Sequence, residues 1–239
     1  MNEIAIMKRL SKHRNQHVVR LVNAFAVEDK NQYCLIMDPV ADRGNLKDYL
    51  ANLFYDPLPL TTVQKDFLMD AIRGLANGLA FIHRTTTLHK DTKPENILIH
   101  RNKVLYTDFG IALDFSSMPT STTASTNPFY TFEYAAPELV ARNKLPRNIK
   151  SDIFSLGCVY FEILAIYFGA TDLKALTIYD NGNDYTSYRL MVDKLQIIRP
   201  YGNEGDLCAS MLSRDRDVRP SADEVERKIP SYGAATNIV

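Results

Sequence analysis

Apolar residues recur at helical spacing over residues 2–13, where Ile6, Met7 and Leu10 follow Glu3 at three, four and seven positions. The spacing predicts a helix with Glu3 on its apolar face. A carboxylate there either caps the first turn, where the helix dipole favours it, or faces a buried cation; this window alone favours the cap. Two short apolar runs follow, residues 18–25 and 33–37, separated by the polar turn Glu28-Asp29-Lys30-Asn31, and predict an antiparallel strand pair. Beyond the Asp38-Pro39 break and the turn at Asp42-Arg43-Gly44-Asn45 the period becomes helical again, through Leu46, Tyr49, Leu50 and Leu53. That change marks a small lobe joined to a larger helical one.

Thr61-Thr62-Val63-Gln64 resembles a capping box, opening a long helix with Leu68, Ala71, Ile72, Leu75, Leu79 and Ile82 on one core-facing stripe. Residues 97–99 and 104–106 form two brief apolar runs joined through His100-Arg101-Asn102-Lys103, the pattern of a hairpin. Residues 116–128, rich in Ser, Thr, Pro and Asn, are expected to form a mobile loop. The remainder is expected to be helical: 153–168, 173–176, 188–195, 207–212 and a short helix near 222–228. No internal repeat is visible.

Composition narrows the class. A chain of 239 residues with 46% apolar content can build a real core, which excludes disorder and collagen-like repeats. With 28 basic and 28 acidic residues the formal charge is zero, so no overall field draws the molecule to nucleic acid or anionic lipid. Cys34, Cys158 and Cys208 lie far apart in apolar stretches, and are expected to be buried thiols in a reducing, cytoplasmic or nuclear compartment. The first residues mix charge into apolar positions and lack a cleavage site, unlike a signal peptide. Residues 153–170 approach the length of a membrane span, but Glu162, Ser155, Gly157 and Gly169 interrupt them, and a helix buried in a protein core is the better fit. None of the ten glycines precedes Gly44, which excludes a phosphate-cradling glycine loop from the first 43 residues.

The chemistry concentrates in residues 88–99, a charged loop leading into a strand. Asp91, Lys93 and Asn96 can converge there as a base, a cation and a neutral metal ligand. Twelve residues past Asn96, Asp108 adds a carboxylate, and Gly110 frees the backbone to turn. Two oxygen ligands, Asn96 and Asp108, suit Mg²⁺ that also takes phosphate oxygens.

His89-Lys90-Asp91-Thr92-Lys93-Pro94-Glu95-Asn96 resembles the catalytic loop H-R-D-L-x-x-x-N of eukaryotic protein kinases. Asp108-Phe109-Gly110 and Ala136-Pro137-Glu138 follow in the family's order, Asp152 to Gly157 resembles its D-x-W-S-L-G helix, and Arg219 its late arginine. The resemblance covers residues 1 to about 229. It implies an α+β, protein-kinase-like two-lobe fold, with a truncated small lobe over 1–40 (helix plus short strands), a mainly helical large lobe over 41–229 and a tail over 230–239. It also implies a serine/threonine kinase transferring the γ-phosphoryl group of ATP to a protein substrate. Asp91 is then the base, Lys93 steadies the γ-phosphoryl group, and Asn96 and Asp108 hold Mg²⁺. Met37 guards the nucleotide pocket, the backbone of Asp38 and Val40 faces adenine, and Leu98 lies beneath it. Glu138 pairs with Arg219, and Asp152 holds the catalytic-loop backbone. Lys93 and Thr131 match the serine/threonine branch. The Ser/Thr-rich loop falls where the family is activated by phosphorylation, although Lys90 replaces the arginine that pairs phosphate bidentately.

The chain departs from the pattern at its start. The family's glycine-rich hairpin and V-A-I-K lysine have no counterpart here, so Glu3, which matches the helix glutamate that pairs with that lysine, is expected to turn to solvent or to be protonated. Thr92 replaces a hydrophobic residue and Phe154 a tryptophan, both tolerable. Three expectations follow: a kinase represented by an N-terminally incomplete domain, a pseudokinase acting as an interaction module, or a chain whose small lobe is completed by a partner chain.

Overall fold

The computed structural model describes residues 2–27, 32–56, 58–116, 131–140, 147–169, 177–180, 183–186 and 202–229. The chain opens with helix α1 (Asn2–Lys12), which buries Ile6, Met7 and Leu10 as its spacing requires. Strands β1 (Arg20–Val27) and β2 (Gln32–Asp38) pair antiparallel, with a bulge between Leu21 and Asn23. This ribbon is joined to the rest through Tyr106, whose N–H donates to His17 O (2.8 Å) and whose carbonyl accepts from Val19 N (3.0 Å).

Helix α2 (Leu46–Tyr55) begins at Asn45, whose side chain accepts from Asp48 N. Helix α3 (Thr62–Arg84) opens on the full capping box expected from Thr61 and Gln64, and its buried face includes the whole predicted stripe. Strand β3 (Thr87–Leu88) leads to the charged loop, then a 3₁₀ turn at Pro94–Asn96 and the hairpin of β4 (Ile97–His100) and β5 (Lys103–Tyr106). Arg101 and Asn102, at φ 46° and 60°, form its two-residue turn; left-handed backbone at both central positions matches the twist of the paired strands. Strand β6 (Leu113–Asp114) pairs back with β3.

After α4 (Pro137–Val140), helix α5 (Ile149–Tyr167) is capped by Asn148 and buries residues on every side, from Ser151 to Ile166. It is the centre of a protein core, and among the described residues no helix is long and apolar enough to cross a membrane. Strands β7 (Thr177–Asp180) and β8 (Asn183–Thr186) form a second hairpin, in the interval between the helices expected at 173–176 and 188–195. Its four-residue strands are too short for a periodicity signal. Helix α6 (Gly202–Met211) packs on α5, and α7 (Ala222–Lys228), opened by a Ser221–Glu224 capping box, packs on α3. The helices expected at 173–176 and 188–195, the Ser/Thr-rich loop beyond Ser116 and the tail lie outside the described residues.

The fold is thus mixed α and β, with a small helix-and-ribbon lobe and a large helical one. One expectation fails: Cys34 is exposed, while Cys158 and Cys208 are buried thiols. Cys34 sits on β2, which is exposed along nearly its whole length because the ribbon has two strands and neither face is fully covered.

Candidate active site

The charged loop hangs between β3 and β4, and Asp152 near the start of α5 fixes its backbone from below. That carboxylate is almost fully buried and accepts from His89 N (2.9 Å), Lys90 N (2.9 Å) and His83 Nε2 (3.0 Å). Burial alone pushes the Asp152 carboxyl up, but the hydrogen bonds from His83 and from the His89 backbone N–H outweigh that and hold it low. His89 is buried against Tyr106 and Phe109, at ring-centroid distances of 5.4 and 5.0 Å. Its Nε2–H donates to Thr107 O (3.1 Å) and its Nδ1 accepts from Asp91 N (3.4 Å), an arrangement only neutral imidazole can make. Burial accordingly pushes the His89 pKa down.

The loop brings four predicted residues together. Lys93 Nζ reaches Asp91 Oδ2 at 2.8 Å and Thr131 Oγ1 at 2.7 Å, and Thr131 Oγ1 donates to Asp91 Oδ1 at 2.8 Å. Asn96 Nδ2 donates to Asp91 O (3.0 Å) and Asp91 Oδ2 (2.8 Å). Burial would raise the Asp91 carboxyl; the bonds from Lys93, Thr131 and Asn96 together hold it below its usual range. Asp91 is therefore a fixed, fully ionised carboxylate at neutral pH. The Asn96 amide spends its N–H groups on Asp91, which leaves its carbonyl oxygen to accept or ligate.

Asp108 adopts φ 59°, a conformation Asp tolerates better than most residues, and its Oδ1 accepts from Gly110 N at 3.2 Å. A Cβ on Gly110 would stand 3.2 Å from that same oxygen, so glycine keeps the approach to the carboxylate open. A carboxylate and an amide carbonyl are both hard oxygen donors, the chemistry that suits Mg²⁺. Glu3 lies in the first turn of α1, half-buried, with its Oε2 3.9 Å from where a Gly110 Cβ would be. Burial, then the Asp108 charge, raise its pKa, and among the described residues it has no cationic side-chain partner.

The other predicted positions are scattered around this centre. Met37 and Asp38 end β2, both exposed, with Asp38 paired to Arg20 at 3.0 Å; Val40 is 81% exposed. Leu98 is half-buried on β4 and packs on the core. Glu138 and Arg219 form a two-pronged buried pair. Phe154 lies under the Arg219 guanidinium, 5.1 Å from ring centroid to Cζ, so it keeps the cation–π contact an aromatic residue makes there. Thr92 is buried, and among the described residues its hydroxyl has no partner.

Sequence reasoning missed three supports. His83 carries a legible signal, since it falls four residues after Leu79 on the buried stripe of α3. Arg147, which donates to Lys90 O at 2.7 Å, and Arg9, which joins α1 to Thr87 Oγ1 (2.8 Å) and to Asp114, carry none.

A carboxylate held by a lysine, a threonine and an amide, with a buried Glu–Arg pair beside a core helix, defines a site of the protein kinase fold. The family model for the protein kinase domain matches residues 1–228, and the chain belongs to that family. It is 32% identical over 233 residues to mitogen-activated protein kinase kinase 2 of Arabidopsis thaliana, covering 92% of this chain and 59% of the relative. It is also 30% identical over 166 residues to cyclin-dependent kinase 4 of Mus musculus (68% and 51%) and 29% identical over 167 residues to that of Xenopus laevis (68% and 48%). The chain spans about half the length of the curated relatives it matches.

Proposed function

We propose that this domain transfers the γ-phosphoryl group of ATP to serine or threonine hydroxyls of a protein substrate. The observation that carries the reading is the Asp91–Lys93–Thr131–Asn96 network, which holds one ionised carboxylate in a single orientation. In this role Asp91 accepts the proton of the substrate hydroxyl as its oxygen attacks the γ-phosphorus and the bond to the ADP oxygen breaks. Lys93 offsets negative charge on the transferred group. Asn96 Oδ1 and Asp108 would hold Mg²⁺, which supplies charge compensation on the phosphates. Such a loose transition state asks for alignment more than basicity, so a carboxylate held below its usual pKa still serves. Met37, the backbone of Asp38 and Val40, and Leu98 would border the adenine. Thr131 and Lys93 favour serine or threonine over tyrosine, and dependence on ATP and reduced thiols fits a cytoplasmic or nuclear protein.

One observation favours a second reading, an interaction module without catalysis: Glu3 has no cationic side-chain partner among the described residues. The exposed side chains of Tyr33 and Ile36 on β2 suit added strands, from a partner chain or from elsewhere in the protein. Transfer of label from γ-labelled Mg·ATP to a generic Ser/Thr protein substrate separates the readings. Activity abolished by Asp91→Asn, with the melting temperature kept, supports the kinase. Nucleotide-induced stabilisation absent at millimolar Mg·ATP, together with no transfer, supports the module.

A further inference from the structure

A cavity of about 590 Å³ opens between the C-terminal end of α1, the entry to β1, the end of β2 and the β4–β5 turn, and no catalytic-loop residue lines it. Pockets that take a ligand or an anchoring side chain span roughly 300–1,000 Å³. The floor is apolar, with Leu10, Val18 and Leu105 all buried beneath it.

The rim is basic. Arg14, Arg101 and Lys103 are exposed around the mouth. Among the described residues the Lys103 side chain hydrogen-bonds only the neutral Gln16 (2.7 Å), and neither the Arg14 nor the Arg101 guanidinium has a carboxylate partner, although Arg101 N donates to the Asp42 carboxylate (3.2 and 3.3 Å). The single carboxylate of the lining, Asp38, is already matched by Arg20. A neighbouring cavity of about 470 Å³ shares Gln16, Arg101 and Lys103, so the basic ledge continues past the first opening. In a chain whose formal charge is zero, three cations whose side chains lack a carboxylate partner among the described residues are a local concentration of charge around one apolar pit, assembled from the loop after α1 and a distant hairpin.

We infer that this cavity docks an acidic peptide segment. An apolar side chain seats on Leu10, Val18 and Leu105, while flanking Asp or Glu carboxylates meet Arg14, Arg101 and Lys103. Guanidinium groups pair carboxylates in bidentate geometry, which gives orientation as well as attraction. A peptide is favoured over a free phosphate or a nucleic-acid strand because the apolar floor has nothing to bind in a bare anion, and the neutral chain offers a polyanion no wider field.

The test is fluorescence polarisation of the full chain with a short labelled peptide of Glu and Asp residues around a central Leu-Phe pair. Binding should weaken about tenfold in the Arg14→Glu/Arg101→Glu double variant, the sum of two exposed ion pairs lost and two repulsions gained. It should weaken similarly when Ser-Ser replaces Leu-Phe, and vanish when lysines replace the acids. Both substituted side chains are exposed, so the melting temperature should stay unchanged. No binding up to millimolar peptide overturns the inference, as does equal binding by parent and double variant. Displacement of the labelled peptide by inorganic phosphate or by an oligonucleotide as readily as by unlabelled peptide overturns the assignment to a peptide. Neither arginine belongs to the proposed phosphotransfer site, so this result stands apart from the kinase assay.

Discussion

Arg219 and Glu138, 81 residues apart in the chain, meet as a two-pronged ion pair: Nη1 on Oε1 and Nη2 on Oε2, both at 2.8 Å. The arginine side chain is 0% exposed and also donates to Ser213 O and Lys150 O, while Glu138 accepts from Ser151 Oγ. The pair joins α4 to the segment before α7, and every donor it takes out of water has a partner. Removing one side leaves an uncompensated buried charge, at a cost of about 3–5 kcal/mol. Glu138→Gln should lower stability by that order in denaturant titrations, and Arg219→Lys, which keeps the charge but not the fork, by about 1–3 kcal/mol. A lysine variant as stable as the parent would show that the fork geometry contributes nothing. Burial pushes the Glu138 carboxyl up from its ordinary 4.5, but Arg219 outweighs it and the folded value lies lower. This contribution is therefore complete above pH 4.5 and fades as pH falls through the folded value.

Asp152 fixes the backbone of the charged loop from beneath it. It holds His89 N and Lys90 N, and the next residue is Asp91. Asp152→Ala removes the acceptor of both amides and of His83, and should cost about 2–4 kcal/mol. Amide hydrogen exchange at residues 89 and 90 should accelerate in the variant. If the domain is catalytic, kcat should fall while KM for nucleotide stays near that of the parent. Unchanged protection at those two amides would remove Asp152 from its positioning role.

Much of this was legible in the chain, for identifiable reasons. Long elements carry their period openly: the stripe from Leu68 to Ile82, the Thr61 capping box and the all-round apolar run of α5 each state a local rule that packing then obeys. The loop residues Asp91, Lys93 and Asn96 converge because they lie within six positions of one another. Thr131, 40 residues away, could be placed only by family resemblance, and its bridging contact to Asp91 depends on tertiary structure. Arg9 and Arg147 were invisible because a surface-like arginine carries no sign of the carbonyl or hydroxyl it will meet. Cys34 was misjudged because apolar neighbours predict burial only where a sheet is covered on both faces, and the β1–β2 ribbon is not.

Glu3 offers a prediction of the opposite sign to Glu138. Burial and the charge of Asp108 raise its pKa above the ordinary 4.5, so the folded chain binds the proton more tightly than the unfolded one. Stability from this group is fully present below pH 4.5 and is lost as pH rises through the higher folded value. Glu3→Gln should therefore melt slightly higher than the parent at pH 7, by under about 1 kcal/mol given its exposure, and equal to it near pH 4. A variant less stable at neutral pH would mean that the carboxylate has a favourable contact in solution.

Thr92 carries the last prediction. It stands between Asp91 and Lys93, is 1% exposed, and its hydroxyl finds no hydrogen-bond partner among the described residues. Where a hydrophobic side chain is expected, the chain has enclosed a polar atom that gains nothing from folding. An unsatisfied buried hydroxyl costs about 1–3 kcal/mol, and valine has nearly the same shape without it. Thr92→Val should therefore stabilise the protein by about 1 kcal/mol, a rise of about 2–4 °C in melting temperature for a chain of this size. The Asp91 contacts run through Lys93, Thr131 and Asn96 and not through Thr92, so any phosphotransfer should persist in the variant. A fall in melting temperature would show that the hydroxyl has found a partner, such as a trapped water, and that the threonine is there to hold it.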